Sequence, residues 1–177
     1  MIYVIRHGEV DTNVKWLING WNEEKLNETG IKQAIEAGKK LKDLKIDTVI
    51  CSPLLRTKQT YSYLGLEGVE FYYDDRIKER NSKSMISFPV EKLDRSIWYD
   101  RTKDMVFKDS EGFKSVIERT ESILKEIKDK YLDKNVLLIT HGDICKAINL
   151  HFNPEIEDPS SFHQENCEII CYDTNLI

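Results

Sequence analysis

The chain has 177 residues, 40% hydrophobic and 32% charged, enough to bury one sizeable core and too short to suggest two domains. Its formal net charge of -5 argues against nucleic acid as the main partner, although a few arginines in a cleft can still hold a small anion, because local potential decides binding. No apolar run approaches the ~20 residues of a membrane span, and no charged segment leads into an apolar stretch at the start, so a cytoplasmic location away from membranes is expected.

In chain order, the first element is the apolar run Met1-Ile2-Tyr3-Val4-Ile5, read as a strand over 1–6, which runs directly into Arg6-His7-Gly8-Glu9. After Asn27, Ile31, Ala34, Ile35, Gly38 and Leu41 recur at three- and four-residue spacing, which predicts an amphipathic helix with Asn27 as its amino-terminal cap. A second strand over 47–51 leads to Ser52-Pro53-Leu54-Leu55-Arg56, and a third over 69–73 precedes Lys78-Glu79-Arg80. Residues 80–109 then lose periodicity, mixing Asn, Ser and Lys with Met85, Phe88, Pro89, Trp98 and Tyr99. Irregular stretches of this length inside a compact domain are often functional, so a lid-like excursion is expected, against a surface excursion that merely packs Trp98. A helix over 112–131 carries Phe113, Val116, Ile117, Ile123, Leu124 and Ile127 on one face, and a strand over 136–140 leads into Thr140-His141-Gly142. The last strand is expected over 167–172.

Strands at 1–6, 47–51 and 136–140 read as continuous apolar or β-branched runs, as in parallel sheets buried on both faces. Alternation with helices therefore predicts a three-layer α/β/α sandwich with a mostly parallel central sheet, arranged as one domain over 1–177. Both histidine segments leave the carboxyl ends of strands, where open α/β sheets place their ligand crevice. Cys51, Cys145, Cys167 and Cys171 lie in or beside apolar runs without zinc-finger spacing, which reads as reduced core thiols.

The chemistry follows from the side chains those segments carry. Phosphoryl transfer is mostly positioning and charge stabilisation around a loose transition state, and the guanidinium forks of Arg6 and Arg56 match phosphate oxygens two at a time without losing charge. His7 is the expected nucleophile, because a neutral imidazole can attack phosphorus in line and split one displacement into two. His141 is expected to donate to a phosphate oxygen, with Gly142 and Asp143 opening a helix whose first amides form an anion site. No cofactor is implied, and the cluster lacks the carboxylates a hard divalent cation wants.

These motifs, together with Gly20-Trp21-Asn22-Glu23-Glu24-Lys25-Leu26-Asn27-Glu28-Thr29-Gly30 and Arg56-Thr57-Lys58-Gln59-Thr60, resemble the histidine phosphatase (phosphoglycerate-mutase-like) superfamily over most of the chain. The resemblance implies that a backbone carbonyl holds the second nitrogen of His7, that Glu79 is the general acid, that Asn13 contacts phosphate, and that residues 80–109 cover the site and set substrate preference. It also implies a small or apolar residue at 143 and a hydroxyl residue at 10, where this chain has Asp143 and Val10. Asp143 is expected to cap the helix, the alternative being that it raises the proton affinity of His141. Glu79 is weighed against a surface carboxylate paired with Arg76 or Arg80.

Glu9 is expected to shape its loop, His151 and His163 to stand outside the chemistry, and Trp16, Asn19 and Trp21 either to line the pocket mouth or to pack. The resemblance implies longer lids and tails in mutases, and this chain closes soon after its last strand. A metal-independent phosphomonoesterase acting through phosphohistidine on a small phosphorylated metabolite is therefore expected, with a cofactor-dependent phosphoglycerate mutase and a non-catalytic phospho-ligand binding module as alternatives. The apolar residues of the excursion suit a cap or a homodimer contact.

Overall fold

The apolar runs of the sequence become neighbours in one sheet. The computed structural model describes residues 1–177, with, in chain order, β1 (Ile2–Arg6), α1 (Asp11–Val14), α2 (Glu28–Leu41), β2 (Thr48–Cys51), α3 (Leu55–Leu64), β3 (Glu70–Tyr73), α4 (Arg95–Trp98), β4 (Met105–Val106), β5 (Ser110–Glu111), α5 (Phe113–Tyr131), β6 (Val136–Thr140), α6 (Gly142–Phe152) and β7 (Ile169–Tyr172). Five strands form a sheet in the order β3-β2-β6-β1-β7. All neighbours are parallel except β7, which runs antiparallel to β1. Ile2 lies opposite Val136 and Arg6 opposite Thr140, so β1 and β6 end level with each other.

Side-chain alternation along the central strands builds the three layers. Ile2, Val4, Val136 and Leu138 point to one face, where they pack with Phe113, Ile123, Leu124 and Ile127 of α5 and Ile144 and Ile148 of α6. Ile5, Leu137 and Ile139 point to the other, against Ala34, Ala37 and Leu41 of α2 and Leu64 of α3. The α/β/α sandwich with a mostly parallel sheet is the expected one. A β-carbon on Gly38 would lie 2.2 Å from the carbonyl oxygen of Leu64, so the close approach of α2 and α3 depends on that glycine. The side chain of Asn27 accepts from the Gly30 amide and caps α2 as expected.

Four expectations need correction. Ile35 is 42% exposed and Ala37 takes the core position. The last strand starts at Ile169, because Cys167 adopts a left-handed conformation (φ 58°) and gives its N–H to the Arg6 carbonyl at 2.9 Å. Cys171 is exposed on that edge strand, while Cys51, Cys145 and Cys167 are buried free thiols. Residues 80–109 carry α4, β4 and short 3-10 turns, gathered on a small cluster of Ile18, Met85, Trp98 and Val106. No helix is long and apolar enough to cross a membrane.

Candidate active site

The carboxyl ends of β1, β2 and β6 lie side by side, and each delivers part of one constellation. Arg6 closes β1 and His7 follows it; Ser52 follows β2, and Arg56 sits in the first turn of α3; His141 follows β6 as the residue preceding α6. Glu79 arrives on the loop after β3, which is tied to β6 where the Thr140 hydroxyl donates to the Ile77 carbonyl at 2.8 Å.

The rings of His7 and His141 stand 5.3 Å apart, tilted by 55°. His7 is buried, with Nδ1 2.8 Å from the carbonyl oxygen of Gly8. Because a carbonyl only accepts, that contact holds the ring proton on Nδ1 and leaves the lone pair on Nε2. His141 Nε2 lies 2.7 Å from Ser52 Oγ, and its Nδ1 is a buried nitrogen without a hydrogen-bond partner. Arg56 is 1% exposed; its terminal nitrogens donate to the carbonyls of Asn22 (3.0 Å) and Gly20 (2.8 Å), which fixes the guanidinium plane. Arg6 Nη1 donates to the Gln164 carbonyl at 3.1 Å. The Nε of both arginines is buried and unpaired.

Glu79 is half-buried, its Oε1 accepting from the backbone N–H of Arg80 (2.9 Å) and of Asp143 (3.3 Å). A β-carbon on Gly142 would sit 3.8 Å from both Arg6 Nε and Glu79 Oε2, so these groups converge over the start of α6. Arg6, His7, Asn13, Arg56, Glu79 and Gly142 all line one cleft of about 540 Å³, and fully buried His141 stands behind its wall.

A family model described as the histidine phosphatase superfamily (branch 1) matches residues 2–175. The chain belongs to that superfamily. It is 31% identical over 151 residues to an uncharacterized phosphatase, PhoE, of Bacillus subtilis strain 168, a match covering 83% of this chain and 74% of that one. It is 28% identical over 148 residues to a probable phosphoglycerate mutase, GpmB, of Shigella dysenteriae serotype 1, covering 80% and 69%. Among solved structures, phosphoserine phosphatase of Entamoeba histolytica in complex with 3-phosphoglyceric acid superposes with a TM-score of 0.79 at 25% identity, covering 95% of this chain and 87% of that one. The phosphoglycerate-mutase-like fold and an enzyme of the histidine phosphatase type, both expected from the motifs, agree with these matches.

Electrostatics within the histidine phosphatase cleft favour neutral rings. Burial, then the charges of Arg56 and Arg6, holds His7 well below the usual imidazole range, opposed weakly by the bond to Gly8. His141 is lowered too, by burial first and then by Arg56 and His7. Burial raises the proton affinity of Glu79, and the Asp143 carboxylate raises it further against Arg56 and Arg6. Arg56 is pushed down to about 10 by burial and stays cationic at neutral pH. No group of three or more His, Cys, Asp or Glu side chains is arranged to hold a metal ion.

Contacts with neighbouring segments fix several of these residues, and Asp143 departs from expectation. Gly8 is needed for its neighbour: a β-carbon there would lie 2.5 Å from the Gly30 carbonyl oxygen. Asp143 neither caps α6, whose cap position is His141, nor faces His141; its carboxylate meets Arg80, Trp98 and Tyr99. The first-turn amide of Asp143 goes to Glu79. Glu79 pairs with neither expected surface partner, since Arg76 is taken by Asp74 and Glu126 and the Arg80 side chain by Asp143. Asn13 lines the cleft while its Oδ1 accepts from the Val10 amide at 3.1 Å, and Glu9 takes a bond from Asn27, as a loop-shaping residue should.

Trp16 and Asn19 do line the cleft, but Trp21 borders a separate, smaller cavity and donates to the Glu79 carbonyl. His163 reaches the cleft rim and His151 does not. Sequence reasoning missed Gln164, which holds Arg6, and Ser52 as the partner of His141. Asn166 Nδ2 donates to the His7 carbonyl at 2.7 Å; its place beside Cys167, in a stretch matching the family, was the available signal.

Proposed function

We propose that the protein is a metal-independent phosphomonoesterase that hydrolyses a small phosphorylated metabolite through a phosphohistidine at His7. The observation that carries this reading is the Nδ1 contact of His7 with the Gly8 carbonyl at 2.8 Å, which leaves Nε2 unprotonated inside a cleft shared with Arg6, Arg56 and Glu79. In the first step Nε2 attacks phosphorus in line, the bond from phosphorus to the leaving oxygen breaks, and Glu79 gives its proton to that oxygen. In the second, water attacks phosphorus, Glu79 takes the proton from the water, the N–P bond breaks, and phosphate and free His7 are regenerated.

Arg6 and Arg56 stabilise the equatorial oxygens. In this mechanism the Ser52 hydroxyl, 2.7 Å from His141 Nε2, donates to that nitrogen. His141 then keeps its own proton on Nδ1, as a donor to a phosphate oxygen. Asn13 and Gly142 complete the binding set at the cleft wall, and the 80–109 excursion acts as a lid through Trp98, Tyr99, Val90 and Leu93, which line the same cleft. One domain over 1–177 and a cytoplasmic setting belong to this reading; the three buried free thiols suit a reducing compartment.

The test is phosphate release from an aryl phosphate by the native chain and by His7→Ala, with and without a chelator. Release that survives the substitution removes the mechanism, loss on chelation removes the metal-independent claim, and no release from either protein leaves a phospho-ligand binding module. A phosphoglycerate mutase is the second reading, favoured by the similarity to the protein named GpmB. Incubation with 3-phosphoglycerate separates the two, since a mutase returns an isomer and a phosphatase returns inorganic phosphate.

A further inference from the structure

The 80–109 excursion bonds through its backbone to Trp16 and Ile18, and its Arg80, Trp98 and Tyr99 side chains meet the start of α6 at the side chain of Asp143. Asp143 Oδ1 accepts from the Tyr99 hydroxyl at 3.0 Å, Oδ2 accepts from Trp98 Nε1 at 3.3 Å, and Arg80 Nε stands 3.0 Å from Oδ2. Arg80 is 0% exposed, lies 4.1 Å from the Trp98 ring centre and donates to the Trp98 carbonyl at 2.6 Å. A charge held this far from water is costly unless paired; Arg80 is paired with Asp143, both of whose carboxylate oxygens are engaged, although Arg80 Nε and Nη2 make no hydrogen bond. The backbone of Asp143 meanwhile touches Glu79, its N–H 3.3 Å from Oε1.

We infer that Asp143 is a positioning residue: its paired carboxylate keeps the Trp98–Tyr99 wall over the cleft and keeps a negative charge beside Glu79, so that Glu79 carries its proton into the reaction. The inference rests on the phosphatase reading for the last step only. The charges around Glu79 come from every neighbouring element. Arg6 on β1 and Arg56 on α3 draw its proton away, Arg119 on α5 holds its backbone carbonyl at 3.3 Å, and Lys146 and Cys145 on α6 and Tyr99 of the excursion face the same region. Asp143 is the carboxylate that opposes Arg56 and Arg6 there.

The experiment is a titration of the Glu79 carboxyl by carbon NMR in the full chain, native and Asp143→Asn, alongside pH profiles of kcat/KM on an alkyl phosphate. In the native protein the midpoint is expected above the ordinary glutamate value of about 4.3. In Asp143→Asn it is expected to fall by about one pH unit, the alkaline limb of the profile moving down with it, and trypsin is expected to cut at Arg95 or Arg101 several-fold faster.

A native midpoint at the ordinary value, or a folded variant whose midpoint is unmoved, overturns the inference. Asp143→Ser serves the same comparison if the asparagine variant does not fold. Because the NMR titration needs no turnover, a midpoint that shifts in a protein releasing no phosphate sinks the phosphatase reading and, with it, the catalytic use of the proton, while the electrostatic link stands. An unmoved midpoint in an active enzyme sinks the role of Asp143 alone.

Discussion

The carboxyl end of the sheet and the 80–109 excursion border the same cleft but are built on different terms. At the sheet end, β1, β2 and β6 are buried on both faces and locked in register, so His7, Arg6 and His141 inherit their positions from the core. The excursion has no core strand or long helix; it is held by a small cluster with Ile18, by backbone bonds to Trp16 and Ile18 and by Asp143. In the mechanism proposed above, the groups that stabilise charge at phosphorus sit on the stiff side, and the residues that would shape the room for the rest of the substrate sit on the adaptable side. Loop variation over a fixed scaffold is how one fold serves many substrates.

The hardest blow to this contrast falls on the stiff side. His7→Ala is expected to cut kcat about 10⁴-fold or more on any phosphomonoester, measured by phosphate release with the fold checked by circular dichroism. Arg56→Lys, which keeps the charge but loses the fork anchored on Gly20 and Asn22, is expected to cost about 10²-fold in kcat/KM. Phe113→Ala empties a fully buried site under the sheet and is expected to lower stability by about 3–5 kcal/mol, read by denaturant unfolding.

The pH profile sharpens the contrast further. In the proposed mechanism His7 must be neutral to attack, and its proton affinity is lowered from 6.5, so activity is expected to fall only as pH drops below that range. In the same mechanism Glu79 must be protonated for the first step, and its affinity is raised from 4.5, so activity is expected to fall as pH rises through that raised value. Glu79→Gln is expected to erase the alkaline limb and to cost about 10²–10⁴-fold on an alkyl phosphate, less on an aryl phosphate whose leaving oxygen needs little protonation. On the adaptable side, Leu93→Ala is expected to raise KM for apolar leaving groups less than about tenfold with kcat retained. Ile97→Ala, at a side chain 44% exposed, is expected to change stability by about 0.5 kcal/mol at most.

Legibility in the sequence followed the same division. Runs such as Val136-Leu137-Leu138-Ile139 were readable because burial on both faces demands unbroken apolar residues, and the motifs at their ends came with them. The stripe of α2 was misread at Ile35 because its neighbour Ala37, small enough for helix packing, carries no strong hydrophobic signal. The start of β7 was misplaced because a left-handed Cys167 leaves no trace in composition. Gln164 and Ser52 were missed for another reason: each acts through a single atom, a carbonyl or a hydroxyl, on a residue more than eighty positions away, and no local period records such contacts. The partners of Asp143 were hidden likewise, since Trp98 and Tyr99 reach it from a stretch with no pattern at all.

The bracing of β1 by the 164–168 turn has a consequence for folding. Gln164 holds Arg6 and the Val4 carbonyl, and Asn166 holds the His7 carbonyl, so the Arg6-His7 motif is seated by side chains far away along the chain. A chain truncated before residue 164 would carry both histidines yet lack the braces on Arg6 and on the His7 carbonyl.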